Sequence, residues 1–151
     1  MTKKEKYEDL LPQIKSLIEG EKNTVGVLAN VTAALRSTLG YFWIGFYVVR
    51  DKELQLGPFQ GDVACYHIPY GKGVCGTAWE REETVLVDDV EDFPGHIACS
   101  SLSRSEIVVP VKNDAGKVWA VLDIDSINIS EFDETDREGL ESVASLLSSL
   151  G

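Results

Sequence analysis

No apolar run in this chain approaches the roughly 20 residues that a membrane-spanning helix needs. Its start, Met1-Thr2-Lys3-Lys4-Glu5-Lys6, is charged and has no signal-type apolar core behind it, so a cytosolic protein is expected. Cations are in deficit. Fourteen Lys and Arg stand against 25 Asp and Glu, a formal net charge of −11, which argues against nucleic acid or an anionic membrane as a partner. Only three cysteines are present. In a reducing compartment they do not make a structural disulfide framework, which leaves catalysis, metal binding or burial. The glycines around Cys75 lack the Gly-Lys-Ser/Thr ending of a phosphate-binding loop. Neither an internal repeat nor a linker interrupts the 151 residues, and the length suits one domain over 1–151 with a real core.

What is present has clear periodicity. Tyr7, Leu10, Leu11, Ile14, Leu17 and Ile18 share a stripe of a helix over 4–20, which Pro12 is expected to disturb or kink. Asn23 or Thr24 can cap a second helix with Val25, Leu28, Ala29, Thr32, Leu35 and Leu39 on its buried side and Gly40 as its stop. Residues 42–49 read as a strand, with Phe42, Ile44, Phe46 and Val48 facing one way and Trp43, Gly45, Tyr47 and Val49 the other. A turn at 50–52 leads into a short strand over 53–56. Further strands are expected at 63–68, 85–87, 106–111 and 117–125, with a helix start near Thr77 between them. An amphipathic helix from about Asp133 to Leu150, capped by Asp133, closes the chain. This order gives an α+β class with a largely antiparallel sheet.

Three groups of residues can carry chemistry. Asp123 and Asp125 alternate with apolar residues on one strand and so share a face, with Glu106 on a neighbouring strand as a third wall. Solvated strand-end acids are the plain reading; a pocket that receives an ammonium group or supplies a proton is the sharper one. Trp43 and Tyr47 are core packing or, with Gly45 leaving space between the rings, a small-substrate pocket. The cysteines are inert thiols, zinc ligands in the pairs Cys65/His67 and His96/Cys99, or a redox set with Cys99 as nucleophile beside Arg104. Cys-x-His is tighter than the usual structural-zinc spacing. The long polar loop 88–105 that carries Cys99 is of a length that points to function, and it is expected to close over a substrate.

The cysteines lie ten and twenty-four positions apart, among the motifs Gly-Pro-Phe-Gln-Gly, Gly-Lys-Gly-Val-Cys-Gly and Gly-His-Ile-Ala-Cys. With Ser-Glu-Ile-Val-Val-Pro and Val-Leu-Asp-Ile-Asp-Ser, they resemble the free methionine-(R)-sulfoxide reductases over nearly the whole chain. The resemblance implies a single catalytic GAF domain, with a central six-stranded antiparallel sheet, helices on one side and the pocket on the other. It implies Cys99 as nucleophile, Cys65 as the preferred resolving residue and Cys75 as a further member of the disulfide relay. Glu106, Asp123 and Asp125 match the acidic pocket; Asp125 or Glu106 would give the proton and the remaining carboxylates would hold the substrate ammonium. Trp43 and Tyr47 match residues flanking the sulfoxide methyl group, and backbone N–H groups around Gly71–Gly76 would bind the α-carboxylate.

The reaction so implied is thiolate attack on the sulfoxide sulfur, giving a sulfenic acid and free methionine. Condensation with a second thiol follows, and thioredoxin reopens the disulfide. No cofactor and no metal are implied, and the oligomeric state is left open between monomer and homodimer. The competing class is a non-catalytic, small-molecule-sensing GAF module.

Overall fold

The computed structural model describes every residue from Met1 to Gly151. Helix α1, Lys3–Ile18, begins in a capping box in which Thr2 and Glu5 satisfy each other's backbone N–H groups. Tyr7, Leu10 and Ile14 bury its inner face. The expected disturbance at Pro12 does not end the helix. Pro12 sits on the solvent side, and burial of Leu10 and Ile14 on either side of it offsets the lost hydrogen bond.

Helix α2, Thr24–Leu39, is capped by Asn23, whose side chain accepts from the Gly26 N–H at 3.0 Å. Its buried face is Val27, Leu28, Val31, Thr32 and Leu35. Val25, expected inside, is 62% exposed. At 100° per residue it lies about 90° from the centre of that face, on its edge. Gly40 ends the helix with φ of 69°, a left-handed conformation suited to glycine.

Strand β1, Trp43–Arg50, turns through Asp51 and Lys52 into β2, Glu53–Gln60. The second strand is longer than the expected 53–56. Gly57 and Pro58 are accommodated where the β1–β2 register shifts opposite Phe46. There the outer edge of β2 pairs with nothing, because β3 reaches only Glu53–Gln55, so Pro58 is not asked for an N–H.

Strand β3 is His67–Pro69 alone, which leaves Cys65 in the preceding loop and not on a strand over 63–68. Side chains occupy that loop's backbone: Trp43 Nε1 donates to the Asp62 carbonyl at 2.9 Å and Tyr47 OH to the Cys65 carbonyl at 3.0 Å. Helix α3, Gly73–Arg81, starts four residues before the expected Thr77, so Cys75 lies in its first turn. Then follow β4 (Val85–Val87), a single 3-10 turn at Val90–Asp92, β5 (Ser105–Lys112), β6 (Val118–Ser126) and α4 (Glu134–Leu146). A last 3-10 turn, Ser148–Leu150, replaces the end of the expected final helix.

The six strands form one antiparallel sheet in the order β3-β2-β1-β6-β5-β4. Strand alternation gives it two apolar faces. Ile44, Phe46, Ile107, Val109, Leu122 and Ile124 pack beneath α1, α2 and α4. Trp43, Tyr47, Val108 and Val121 point the other way, into a second cluster with Val74, Cys75 and Ala78 of α3. The architecture is therefore α+β, with three helices on one face and the fourth on the face that carries the site. None of the helices is long and apolar enough to cross a membrane.

Candidate active site

Sheet register assembles the acidic wall. Across the antiparallel ladders Trp43 pairs with Asp125, Gly45 with Asp123 and Asp125 with Glu106. Directly opposed residues share a face, so three central strands present three carboxylates and an indole side by side. Gly45 is required there: a Cβ on it would lie 2.5 Å from the Trp43 ring and 2.5 Å from Phe59 Cβ. The space above Gly45 is thus filled by Trp43 itself, which stacks at 5.2 Å on Phe59 and 6.0 Å on Tyr47. The expected gap between the rings is not an empty subsite.

The opposite wall comes from α3 and from the loop before β5. Ile97 packs against Gly73, whose absent Cβ would sit 3.0 Å from Ile97 Cδ1, and this seats the segment 96–99 over the first turn of α3. The loop is also pinned where the Arg104 N–H donates to the Ser126 carbonyl at 2.7 Å. A disulfide joins Cys65 to Cys99, with their Cα atoms 5.4 Å apart. Cys99 lines the cavity with His96, Cys75, Glu106, Asp123 and Asp125, whereas Cys65 does not. Cys75 is a free, buried thiol with its sulfur 4.0 Å from Glu106 Oε2. The cavity measures about 40 Å³, room for a few water molecules.

The family model for the GAF domain matches residues 21–150. GAF domain-containing protein A of Dictyostelium discoideum is 54% identical over 147 residues, 97% of this chain and 92% of its own. The free methionine-R-sulfoxide reductase of Escherichia coli is 45% identical over 150 residues, 97% of this chain and 89% of its own. The chain belongs to the free methionine-R-sulfoxide reductase family of GAF-domain proteins. Among solved structures, the Neisseria meningitidis free methionine-R-sulfoxide reductase in complex with its substrate is 49% identical. It aligns with a TM-score of 0.96 over 99% of this chain and 90% of that one.

In this GAF domain the electrostatics of the pocket follow from burial without a counter-cation. No Lys or Arg lines the cavity. Glu106 and Asp125 are held well above the usual carboxylate range, first by desolvation and then by the negative charge of Asp123. Desolvation also raises Asp123, to about 6, but the donor groups of Glu106 and Cys75 beside it restrain the rise. The Cys75 thiol is pushed well up by burial and by the same acids, and burial lowers the pKa of His96. Near neutral pH the cluster therefore contains protonated carboxyl groups able to donate, beside an acid that ionises most readily at Asp123.

Several expectations are redirected by the GAF fold. The Cys65/His67 and His96/Cys99 zinc pairs lose both thiolates to the disulfide, and His67 meets Glu53 instead. Arg104 is not among the cavity residues. Of the proposed amide nest, the Gly71, Lys72 and Gly76 N–H groups are consumed by the carbonyls of Gly76, Pro69 and Lys72. What remains for an anion is the first turn of α3, which has no side-chain cap. Phe59 and Ile97 were not foreseen. Phe59 lay hidden in a Gly-Pro stretch that reads as a loop, and nothing in the local pattern around Ile97 marks its contact with Gly73.

Proposed function

We propose that this protein reduces free L-methionine-(R)-S-oxide to L-methionine, with Cys99 as nucleophile and Cys65 as resolving thiol. The observation that carries this proposal is a disulfide of which one cysteine, Cys99, lines a cavity walled by three carboxylates. The family's substrate chemistry adds to it. A Cys99 thiolate attacks the sulfoxide sulfur; the oxygen takes a proton and passes to Cys99 as a sulfenic acid while methionine leaves reduced by two electrons. The Cys65 thiol then condenses with the sulfenic acid, forming the disulfide and releasing the oxygen as water. A dithiol reductant, thioredoxin in the cytoplasm, attacks the Cys65 sulfur, and Cys99 returns as a thiolate to the pocket.

Roles for the other residues follow the electrostatics. Glu106 or Asp125, protonated, supplies the proton to the sulfoxide oxygen. Asp123, the acid that ionises most readily, holds the substrate ammonium. Trp43 and Tyr47 form the apolar wall against which the sulfoxide methyl group lies, and the uncapped first turn of α3 receives the α-carboxylate. An amino acid recognised at both ends cannot be a residue within a polypeptide. Cys75 serves the acids from below and takes a relay role only if Cys65 is lost. Because the cavity of the disulfide form holds only a few waters, substrate entry requires that opening the disulfide frees the loop carrying Cys99. Residues 1–151 act as one catalytic unit.

The test is turnover of racemic free methionine sulfoxide with dithiothreitol, the two epimers resolved chromatographically. The R epimer alone should disappear, and Cys99→Ser should abolish its loss. Persistence of both epimers would leave a sensing module as the better description.

A further inference from the structure

Asp123 is 5% exposed and its Oδ1 has no hydrogen-bond partner. An orphaned carboxylate oxygen in a buried site calls for a cation or a donor, and none of the cavity's side chains carries a fixed positive charge. Cys75 Sγ, a Glu106 oxygen and an Asp123 oxygen all lie within 4.8 Å of one another. His96 Nε2 is 3.8 Å from Glu106 Oε1, on the same cavity. This donor set is mixed sulfur, nitrogen and oxygen.

We propose that this cluster binds Zn²⁺ through Cys75 Sγ, a Glu106 oxygen and an Asp123 oxygen, with His96 Nε2, beside Glu106, swinging in as the fourth ligand. With metal–ligand bonds of about 2.0–2.3 Å, the edges of a tetrahedral site are about 3.3–3.8 Å long. The 4.0 Å between Cys75 Sγ and Glu106 Oε2 is already close to that; the other edges among Cys75, Glu106 and Asp123, within 4.8 Å, shorten by up to about 1.5 Å on binding, and His96 turns from its place beside Glu106 toward the ion. Thiolate and imidazole donors favour zinc over magnesium or calcium, which want six or more oxygens. A cavity of about 40 Å³ also has no room for a hydrated magnesium ion. Binding displaces the Cys75 thiol proton and the protons shared by the carboxyl groups into solvent, so affinity rises with pH. The ion is not a catalytic metal. It occupies the place of the substrate ammonium and excludes substrate; this consequence, unlike the binding itself, rests on the function proposed above.

The disulfide form is the material to test, because Cys75 is then the only free thiol. Titration with Co²⁺ should give one ion per chain with thiolate-to-cobalt charge-transfer absorption, and Zn²⁺ should displace it. Cys75→Ser should remove that band and weaken Zn²⁺, measured against a chromophoric chelator, by about tenfold or more. His96→Gln, further from the acids' core contacts, should weaken it while keeping the band, and it serves if the cysteine variant misfolds. A Cys75→Ser protein that folds and binds Zn²⁺ as tightly as the parent, or a parent with no charge-transfer band, overturns the site. With the reduced protein and a phosphine reductant, Zn²⁺ should raise the apparent KM for the sulfoxide and leave kcat unchanged. Turnover indifferent to Zn²⁺ overturns the competition. Absence of turnover without any Zn²⁺ overturns the function instead, and the metal titration still decides the site.

Discussion

Asp136 and Asp123 are both buried, on opposite sides of the same sheet, and their surroundings have nothing in common. Asp136, in the first turn of α4, accepts hydrogen bonds from Tyr7 OH at 2.7 Å, Tyr41 OH at 3.0 Å, Lys3 Nζ at 2.7 Å and the Asp133 N–H at 3.0 Å. One carboxylate thereby fastens α1, the start of the α2–β1 connection and α4 to one another. Asp123 has an oxygen with no partner, two further acids for neighbours and no cation in reach. The helical side uses buried charge to fix a packing arrangement; the pocket side leaves it unsatisfied and accepts the loss of stability. Unmet hydrogen-bonding capacity is what a ligand can use.

The largest effect should come from neutralising the unsatisfied side. Glu106→Gln removes the pocket's proton donor or a binding partner, and reductase turnover should fall by about 10²–10⁴. Stability should move the opposite way. A carboxyl group whose folded pKa is raised contributes stability that is fully present below its unfolded pKa and is lost as pH climbs through the folded value. For Asp123 that window runs from 3.8 to about 6, a loss on the order of 3 kcal/mol across it. Glu106 and Asp125 extend the loss to higher pH. The Gln variant lacks one of these groups, so its urea midpoint should exceed the parent's above neutrality and converge with it in acid. A variant that is less stable at every pH, or as active as the parent, would remove the contrast between the two sites.

Asp136→Asn tests the satisfied side and should reverse the pattern. Lys3 loses its buried partner and the capping box of α4 loses a carboxylate, at a cost of about 3 kcal/mol. Turnover per folded molecule should be unchanged, since Asp136 packs against the helices and not the pocket. Chemical denaturation together with activity at a temperature well below the transition separates the two quantities. A comparable fall in kcat with stability preserved would show that the two sites communicate through the sheet.

How far this contrast could be read in the sequence depends on the distance between partners. The alternation of Val118–Asp125 and of Phe42–Val49 is local, and it placed Asp123 with Asp125, and Trp43 with Tyr47, on shared faces. The cap at Asp133 was equally local. By contrast, Asp136 reads as one more acid in a helix's first turn, because its partners Tyr7 and Lys3 are 129 and 133 residues away. The loop around Cys65 resembled a strand because its hydrogen bonds to Trp43 and Tyr47 side chains leave no trace in local periodicity. The pairing of Cys65 with Cys99 was implied by family resemblance; spacing alone allowed Cys75 equally.

The smallest effect is the most discriminating. Tyr7 and Tyr41 both donate to the same oxygen, Oδ1 of Asp136, and each hydroxyl removed as Tyr→Phe should cost about 1 kcal/mol. While either remains, Oδ1 keeps a donor. When both are gone, that oxygen is buried with none, the condition in which Asp123 Oδ1 exists. The double variant should therefore lose more than the two single losses combined, by about 1 kcal/mol or more in a double-mutant cycle. The surplus is the penalty of an orphaned buried carboxylate oxygen, measured where no catalytic role confuses it. Strict additivity would mean that water or backbone movement relieves such an oxygen in this fold. In that case the unpartnered state of Asp123 is cheap, and it ceases to be evidence that the pocket awaits a cation.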